Sequence, residues 1–155
     1  MSWDATDFAL LRLLQQDAAQ PTGRLGEKLG LSQPATWRRI KRLQEAGVIK
    51  ERRLRLDAQA LGFGVTVFLG VKLAAKGRVS LEDFERAVSA IPEVQRVDHV
   101  LGLYDYRLRV VARDLSDFER VLRRRVMTLP GVGDVEANVL LSEERLPGPL
   151  GDRAG

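Results

Sequence analysis

The chain has 155 residues, with 25 Lys or Arg against 21 Asp or Glu, 45% hydrophobic residues and no cysteine. These values are typical of one folded domain or two small ones, and they exclude disulfide bridges, thiolate metal sites and cysteine nucleophiles. No apolar run reaches the roughly 18 residues of a membrane span. The opening residues MSWDATDF lack the basic and apolar parts of a signal peptide, so we expect a cytoplasmic protein without a membrane partner.

The first 47 residues are predicted to hold three short helices. Asp4 is a natural N-cap for the first helix, and Ser32 is one for the third. Gly26 permits the second and third helices to cross closely, and Gly30 supplies the tight turn between them, which favours a positive φ. Two short helices around a glycine turn indicate a helix-turn-helix domain over residues 1–47.

Positive charge is concentrated around the third helix. Residues 32–56 hold eight Lys or Arg against Glu45 and Glu51, a local balance of +6. Residues 61–155 hold 14 basic and 14 acidic side chains, a balance of zero. A phosphate-facing surface concentrates charge of one sign in this way, so we expect double-stranded DNA as a partner. A helical hairpin with a solvated basic face is the alternative interpretation.

The candidate DNA-facing side chains lie in the third helix and at its N-cap. Two of them have an alternative interpretation. Thr36, four positions before Ile40, is then a core residue, and Trp37 is a packing residue. Arg and Lys are expected at phosphates or guanine, and Gln at adenine. The predicted set is Ser32, Gln33, Thr36, Trp37, Arg38, Arg39, Lys41 and Arg42. Arg52, Arg53 and Arg55 face either flanking DNA backbone or solvent.

Beyond the third helix, the pattern predicts a linker and then a second domain. Residues 48–62 form the linker, in which the basic segment KERRLRL is predicted to be a strand. Residues 63–144 alternate between strand and helix patterns in the order β-α-β-β-α-β. Ser80 with Asp83 resembles a capping box for the first of these helices, and Asp114 is the expected N-cap of the second. The expected strands cover residues 63–74, 94–101 and 104–112, and a last one passes through Val135 and Leu141. The tail, residues 145–155, is expected to be flexible.

The second domain contains an internal repeat. Leu81-Glu-Asp-Phe-Glu-Arg86 returns as Leu115-Ser-Asp-Phe-Glu-Arg120, and Ile91-Pro-Glu-Val94 returns as Leu129-Pro-Gly-Val132. The offsets are 34 and 38 positions, and the difference of four equals about one helical turn, so the second helix is predicted to be one turn longer. Duplicated βαβ halves predict a ferredoxin-like split architecture, and the whole chain is therefore of the α+β class.

One face of the predicted sheet has no helix over it. We expect apolar or long side chains on this open face, and hence an exposed patch that a second copy of the chain covers. A homodimer also suits a helix-turn-helix, because two recognition helices then meet two half-sites.

Taken together, these features resemble the Lrp/AsnC (feast/famine) family of transcription regulators, from Asp4 to about Glu144. The resemblance implies a three-helix winged or helix-turn-helix domain and a ferredoxin-like domain of the RAM type. It also implies dimers that assemble into tetramers or octamers, and a small effector, usually an amino acid, bound in the second domain. The matching segments are Leu29-Gly-Leu-Ser32, Trp37-Arg-Arg-Ile40, Arg42-Leu43, Glu45-Ala-Gly-Val-Ile49, Gly102 with Tyr104-Asp-Tyr106, and Leu129-Pro-Gly-Val132.

The same resemblance implies an effector site at the turn between the second and third strands of the sheet. Many members carry an acidic residue directly after the turn glycine, where this chain has Leu103. A plain hairpin turn is the alternative for Gly102. The implied effector residues are His99, Leu101, Gly102, Leu103, Tyr104, Asp105 and Glu136.

The chain is not expected to be an enzyme. His99 is its only histidine, and no catalytic triad, metal-binding spacing or phosphate-binding glycine loop is present, so neither a cofactor nor a metal is expected. Two alternatives remain: an enzyme resembling the sirohaem decarboxylases, which share the two-domain layout, and a metabolite-sensing module that does not bind DNA.

Overall fold

The computed structural model describes residues 2–74, 77–144, 148 and 150. It divides into two compact units, one holding the described residues up to Arg55 and one spanning Leu56–Glu143. Most of the tail that the sequence predicts to be flexible, residues 145–155, lies outside the described residues.

The first unit contains three helices: α1 (Ala5–Gln16), α2 (Thr22–Leu29) and α3 (Gln33–Glu45). Both predicted N-caps of this unit are confirmed. The Asp4 carboxylate accepts the Asp7 amide N–H at 2.8 Å, and the Ser32 hydroxyl oxygen accepts the Ala35 amide N–H at 3.3 Å. The helices pack around an apolar core made of Leu10, Leu14, Leu25, Ile40 and Leu43.

The turn between α2 and α3 has the predicted geometry. Gly30 has φ 66°, in the left-handed region that glycine adopts without strain. A methyl carbon placed on Gly26 would lie 2.6 Å from the Leu31 carbonyl oxygen and 2.8 Å from Thr36 Oγ1. The chain after α2 and the start of α3 therefore come close enough to Gly26 that only hydrogen fits there.

The prediction of a strand in the basic linker is wrong. Residues 50–56 form no helix or strand, and the Leu54 side chain is 89% exposed. A strand requires the backbone of a neighbouring strand for its hydrogen bonds, and the segment has no ladder partner within the described chain.

The second unit confirms the predicted β-α-β-β-α-β order. Its elements are β1 (Val65–Leu73), α4 (Arg78–Ser89), β2 (Val94–His99), β3 (Tyr106–Ala112), α5 (Leu115–Val121), which continues as a π-helical segment (Leu122–Val126), and β4 (Val132–Val139). The sheet order is β2-β3-β1-β4, and every pair is antiparallel. This order gives a ferredoxin-like fold whose core contains Val67, Leu69 and Val71 of β1, Leu108 of β3 and Phe84 of α4.

Two predictions about the helices of this unit are wrong. Helix α4 begins at Arg78 with Gly77 at its N-cap, so Ser80 lies inside the helix and forms no capping box. The second helix is not longer: α4 has 12 residues, and α5 with the π-helical segment has 7 and 5. The second helix starts at its copy of the repeated motif, and the residues that follow α5 form the π-helical segment. Helix α4 starts before its copy of the motif, so the two helical stretches have the same length. The N-cap at Asp114 is confirmed, since its carboxylate accepts the Asp117 amide N–H at 2.7 Å.

The open face of the sheet carries long side chains, as expected, but most of them are charged and not apolar. Strand β1 turns its odd-numbered apolar residues, such as Val67 and Leu69, into the core, which leaves the even-numbered positions on the open face. Directly paired residues share a face, so the register between the strands identifies the rest of this surface. The open face carries Thr66, Phe68, Gly70 and Lys72 on β1, Arg96 and Asp98 on β2, Arg107, Arg109 and Val111 on β3, and Asp134, Glu136 and Asn138 on β4.

Within the described range, no helix combines the length and the apolar character that crossing a bilayer would require.

Candidate functional sites

Helix α3 presents one apolar side to the core and one cationic side to solvent. Thr36, Ile40 and Leu43 are buried at i, i+4 and i+7. On the outward side, Trp37 is 54% exposed, and the Lys41 ammonium lies 5.2 Å from the centroid of its ring. Arg38 is exposed beside them. These three side chains form the outward face of α3, and Trp37 is not a core residue.

Thr36 is removed from the candidate DNA-facing residues. Its side chain is fully buried, and its hydroxyl donates to the Ser32 carbonyl oxygen at 2.9 Å. A side chain that contacts a base edge must be exposed before DNA arrives, so the alternative core position of Thr36 is the correct one. Ser32 and Gln33 are exposed at the N-terminal end of α3, although the Ser32 hydroxyl is engaged as the helix cap.

Two of the four cations on α3 contact the start of α1, and one of them, Arg42, is still half exposed. Arg39 Nη1 contacts Asp4 Oδ2 at 2.8 Å and Asp7 Oδ1 at 2.8 Å. Arg42 Nη2 contacts Asp7 Oδ2 at 2.6 Å, and its guanidinium lies 5.3 Å from the Trp3 ring centroid. The Asp7 side chain is fully buried, so the ion pairs are partly shielded from water.

The acidic end of α1 is held by hydrogen bonds as well as by charge. The backbone N–H of Asp7, followed by the Arg39 guanidinium, lowers the pKa of Asp4. The Asp4 carboxylate in turn raises the pKa of Arg39. This cluster was not predicted from the sequence, although two acidic residues three positions apart at a helix start, Asp4 and Asp7, indicate a capping box.

The hairpin between β2 and β3 covers residues 100–105 and exposes its tip. Leu101 is fully exposed and Leu103 is 71% exposed. A Cβ on Gly102 would meet nothing within 4 Å, so the tip has open space around it. The hairpin therefore presents two apolar side chains to solvent on either side of a glycine.

Tyr104 packs against the open face of the sheet. A methyl carbon at Gly70 would lie 2.7 Å from the Tyr104 ring, so the ring occupies the space that a side chain on β1 would fill. The Tyr104 hydroxyl donates to the Glu136 carboxylate, and the Arg107 guanidinium lies 5.1 Å from the ring centroid. The hydrogen bond from Tyr104 is the largest cause that lowers the pKa of Glu136, and a hydrogen bond from the Asn138 side chain is the next. The Glu136 carboxylate in turn raises the pKa of Tyr104.

Two residues of the implied effector set do not join this group. The Asp105 carboxylate is buried and accepts the Leu73 amide N–H at 2.8 Å, so it is used to fix the hairpin to β1. His99 pairs with Tyr106 and stacks on its ring at 4.7 Å, and Tyr106 belongs to the core. His99 therefore lies on the helix-covered side of the sheet, while Tyr104 and Glu136 lie on the open side. In the described part of the chain, no group of three or more Asp, Glu or His side chains is arranged to hold a metal ion.

Comparison with known proteins gives both units a family. Residues 4–50 match the model of a winged helix-turn-helix DNA-binding domain, and residues 66–147 match the model of the Lrp/AsnC ligand binding domain. A helix-turn-helix joined to a ligand-binding domain defines a DNA-binding transcriptional regulator. The chain belongs to the Lrp/AsnC family of such regulators, as its sequence resemblance predicts.

Individual relatives cover nearly the whole chain. It is 33% identical over 142 residues to the transcriptional regulator AzlB of Bacillus subtilis, and the matched region covers 92% of this chain and 90% of that protein. It is 38% identical over 123 residues to the glutamate uptake regulatory protein of Zymomonas mobilis, covering 79% and 75% of the two chains. The crystal structure of a transcriptional regulator from Neisseria meningitidis in complex with L-Met superposes with a TM-score of 0.89 at 27% identity, covering 96% of each chain.

Proposed function

We propose that α3 enters a groove of double-stranded DNA with its outward face, and that the β2–β3 hairpin binds a small effector that modulates this binding. The observation that supports DNA binding most strongly is the exposure of Trp37, Arg38 and Lys41 on one side of a helix whose other side is apolar and buried. A helix-turn-helix places the recognition helix in the major groove, where cations meet phosphates and the N-terminal side chains meet base edges.

The proposed DNA-facing set is narrower than the one predicted from sequence. Gln33 and Trp37 lie toward the N-terminal end of α3, where base contacts are made in this class of protein. Arg38 and Lys41 are suited to phosphate contacts or, for Arg38, to a guanine. Arg52 and Arg53 of the exposed linker add positive charge next to the helix-turn-helix in the sequence.

The proposed effector is an amino acid, which binds at the hairpin tip. The open space at Gly102 leaves room for the charged amino-acid backbone against the amides of the turn. Exposed Leu101 and Leu103 suit an apolar side chain. The ligand-binding domain match and the L-Met complex of the Neisseria relative support this proposal.

A homodimer formed through the open face is part of the proposal. Strand β3 contributes Arg107 and Arg109 to this face, and β4 contributes Asp134 and Glu136. A two-fold axis along β1 places Arg107 of one copy opposite Glu136 of the other, because both residues pair with Gly70, so the face is self-complementary at this level. Assembly of such dimers into tetramers or octamers is the further expectation. Because the named relatives are regulators, we propose no catalytic role.

One set of binding measurements tests both sites. Duplexes selected from a random pool are titrated at several salt concentrations, with and without a panel of amino acids. We expect the Arg38→Ala and Lys41→Ala double variant to bind less tightly, with a log–log salt slope shallower by about 1.8 for two lost phosphate contacts. The matched control, Arg86→Ala in α4, removes an exposed arginine from the other unit and leaves the slope unchanged.

The effector half of the proposal has its own variant. Gly102→Glu places a carboxylate in the open space at the hairpin tip without disturbing the packed fold. We expect the amino-acid response of DNA binding to disappear while the oligomeric state is retained. A variant that responds like the wild type would place the effector elsewhere, and a folded wild type that binds no duplex would overturn the proposed DNA-binding function.

A further inference from the structure

We infer that Asp7 is a positioning residue for DNA binding, which holds Arg39 and Arg42 away from the phosphates and fixes the rotation of α3 so that Arg38 and Lys41 face the DNA. The inference deepens the proposed function and rests on it. Of the four cations of α3, Arg39 and Arg42 then contact the protein itself, and Arg38 and Lys41 contact the DNA.

The geometry gives each Asp7 carboxylate oxygen its own arginine. Oδ1 accepts Arg39 Nη1 at 2.8 Å, and Oδ2 accepts Arg42 Nη2 at 2.6 Å. Oδ2 also accepts the backbone N–H of Asp4 at 3.1 Å, which completes a reciprocal capping box at the start of α1. The carboxylate is thus fixed by the backbone of α1 and by two side chains three positions apart on α3.

Two contacts from one buried point restrain the rotation of a helix. Arg39 and Arg42 lie about 60° apart around α3, since three residues at roughly 100° each make about 300°. If α3 rotated about its axis, at least one of the two hydrogen bonds to Asp7 would lengthen. The buried Thr36, Ile40 and Leu43 set the inward side, and Asp7 restrains the flank next to it.

The exposure of Arg39 follows this division, and Arg42 is held by its contacts and not by burial. The Arg39 side chain is 27% exposed, while those of Arg42 and Lys41 are 51% and 54% exposed. Asp4 and Asp7 already neutralise the charge of Arg39. A phosphate would have to compete with two carboxylates that are part of the folded protein, so release of bound counterions by Arg39 is not favoured.

The Arg39→Gln and Arg42→Gln double variant tests whether these cations contact phosphates. Glutamine keeps an amide N–H donor for Asp7 but carries no charge. We expect a salt slope equal to that of the wild type, measured on the same duplex and corrected for the folded fraction by circular dichroism. A slope shallower by about 1.8 would mean that both arginines contact phosphates, and the inference would be wrong.

The Asp7→Asn variant tests the positioning role directly. Asparagine keeps the shape of the side chain and its cap to Asp4, but it releases Arg42 and leaves Arg39 to Asp4 alone. We expect a salt slope steeper by about 0.9, for one new phosphate contact, and at least a tenfold lower ratio of selected-site to random-duplex affinity. A residue that only stabilised the fold would change neither the slope nor the ratio once the folded fraction is corrected.

The control for net charge is Asp17→Asn, which makes the same change at the other end of α1. Asp17 is exposed, and its carboxylate accepts only the Ala19 amide N–H among the contacts of the described chain. We expect its slope and affinity ratio to match the wild type. If Asp7→Asn does not fold, the glutamine double variant still decides the question. A wild type that binds no duplex refutes the proposed function, whereas a wild type that binds with a slope dependent on Arg39 and Arg42 refutes only this inference.

Discussion

Arg38 and Arg39 occupy consecutive positions of α3 but have different surroundings. One residue of an α-helix turns the side chain by about 100°, which is enough to move a guanidinium from solvent to the acidic start of α1. Arg39 reaches Asp4 and Asp7, and Arg38 is exposed. The role of a cation in this helix therefore depends on its angular position and not on the local charge density.

The environment of Glu136 depends on a single hydroxyl. We predict that Tyr104→Phe raises the pKa of Glu136 toward its ordinary value of 4.5, because the largest cause of the lowering is the hydrogen bond from Tyr104. The ring remains packed against Gly70. In the pH range between the lowered and the ordinary pKa, the variant carries less negative charge at this position. The measurement is an NMR titration of the Glu136 side-chain carboxyl carbon.

The chain supplies a matched control for this substitution. The Tyr106 hydroxyl donates to Glu85 Oε1 at 2.6 Å, which makes a second tyrosine–glutamate pair on the other side of the sheet. Tyr106→Phe is expected to leave the titration of Glu136 unchanged. Equal shifts in the two variants would contradict the role given to Tyr104.

At the level of elements, α2 and α3 are joined by close contact around one glycine. We predict that Gly26→Ala destabilises the first unit by about 1–3 kcal/mol, because the added methyl overlaps the Leu31 carbonyl oxygen and Thr36 Oγ1. The first of these atoms belongs to the backbone and cannot rotate away. Urea denaturation followed by circular dichroism measures the change.

A second glycine of the same helix provides the comparison. A methyl at Gly23 would lie 3.7 Å from Gln33 Oε1, which is an ordinary contact. Gly23→Ala is therefore expected to stabilise the helix by about 0.4–1 kcal/mol, since alanine reduces the freedom of the unfolded chain. Destabilisation of similar size in both variants would attribute the effect to the helix itself and not to the close crossing.

Local signals in the sequence predicted the elements well. The N-caps at Asp4, Ser32 and Asp114 depend on residues three positions away, and all three are confirmed. The linker strand failed because a strand depends on a partner strand that a local pattern cannot supply. Ser80 failed as an N-cap because α4 begins three residues earlier than its motif, at Arg78.

The candidate sites were harder to predict because they depend on contacts between distant residues. Asp7 is 32 positions from Arg39, and nothing local to α3 indicates that the pair exists. The place of His99 follows from its register with Tyr106, which sequence alone does not define. Thr36 is an exception, because its spacing of four positions from Ile40 already gave the core as an alternative position for its side chain.

At the level of the whole molecule, the segregated charges of the open face give the proposed dimer a testable basis. We predict that Arg107→Glu weakens dimerisation at least tenfold, about 1.4 kcal/mol, because it places negative charge opposite Glu136 of the second copy. The dissociation constant is measured by sedimentation equilibrium. Higher salt is expected to reduce the difference between variant and wild type.

The control reverses an arginine that the open face does not include. Arg86 lies on α4 and its side chain is 77% exposed. Arg86→Glu makes the same change in net charge and is expected to leave the dissociation constant as it is in the wild type. A wild type that is monomeric at high concentration would rule out the open face as a dimer interface.

The fit between Gly70 and Tyr104 constrains how this sheet can evolve. The Tyr104 ring occupies the volume that a side chain at position 70 would need, so only one of the two positions can hold a bulky residue. Exchange of Gly70 for a larger residue requires a smaller partner at position 104, and two bulky residues are incompatible. Substitutions at the two positions are therefore expected to arise in pairs. In a lineage that has lost the aromatic ring at position 104, position 70 of the strand can accept larger side chains.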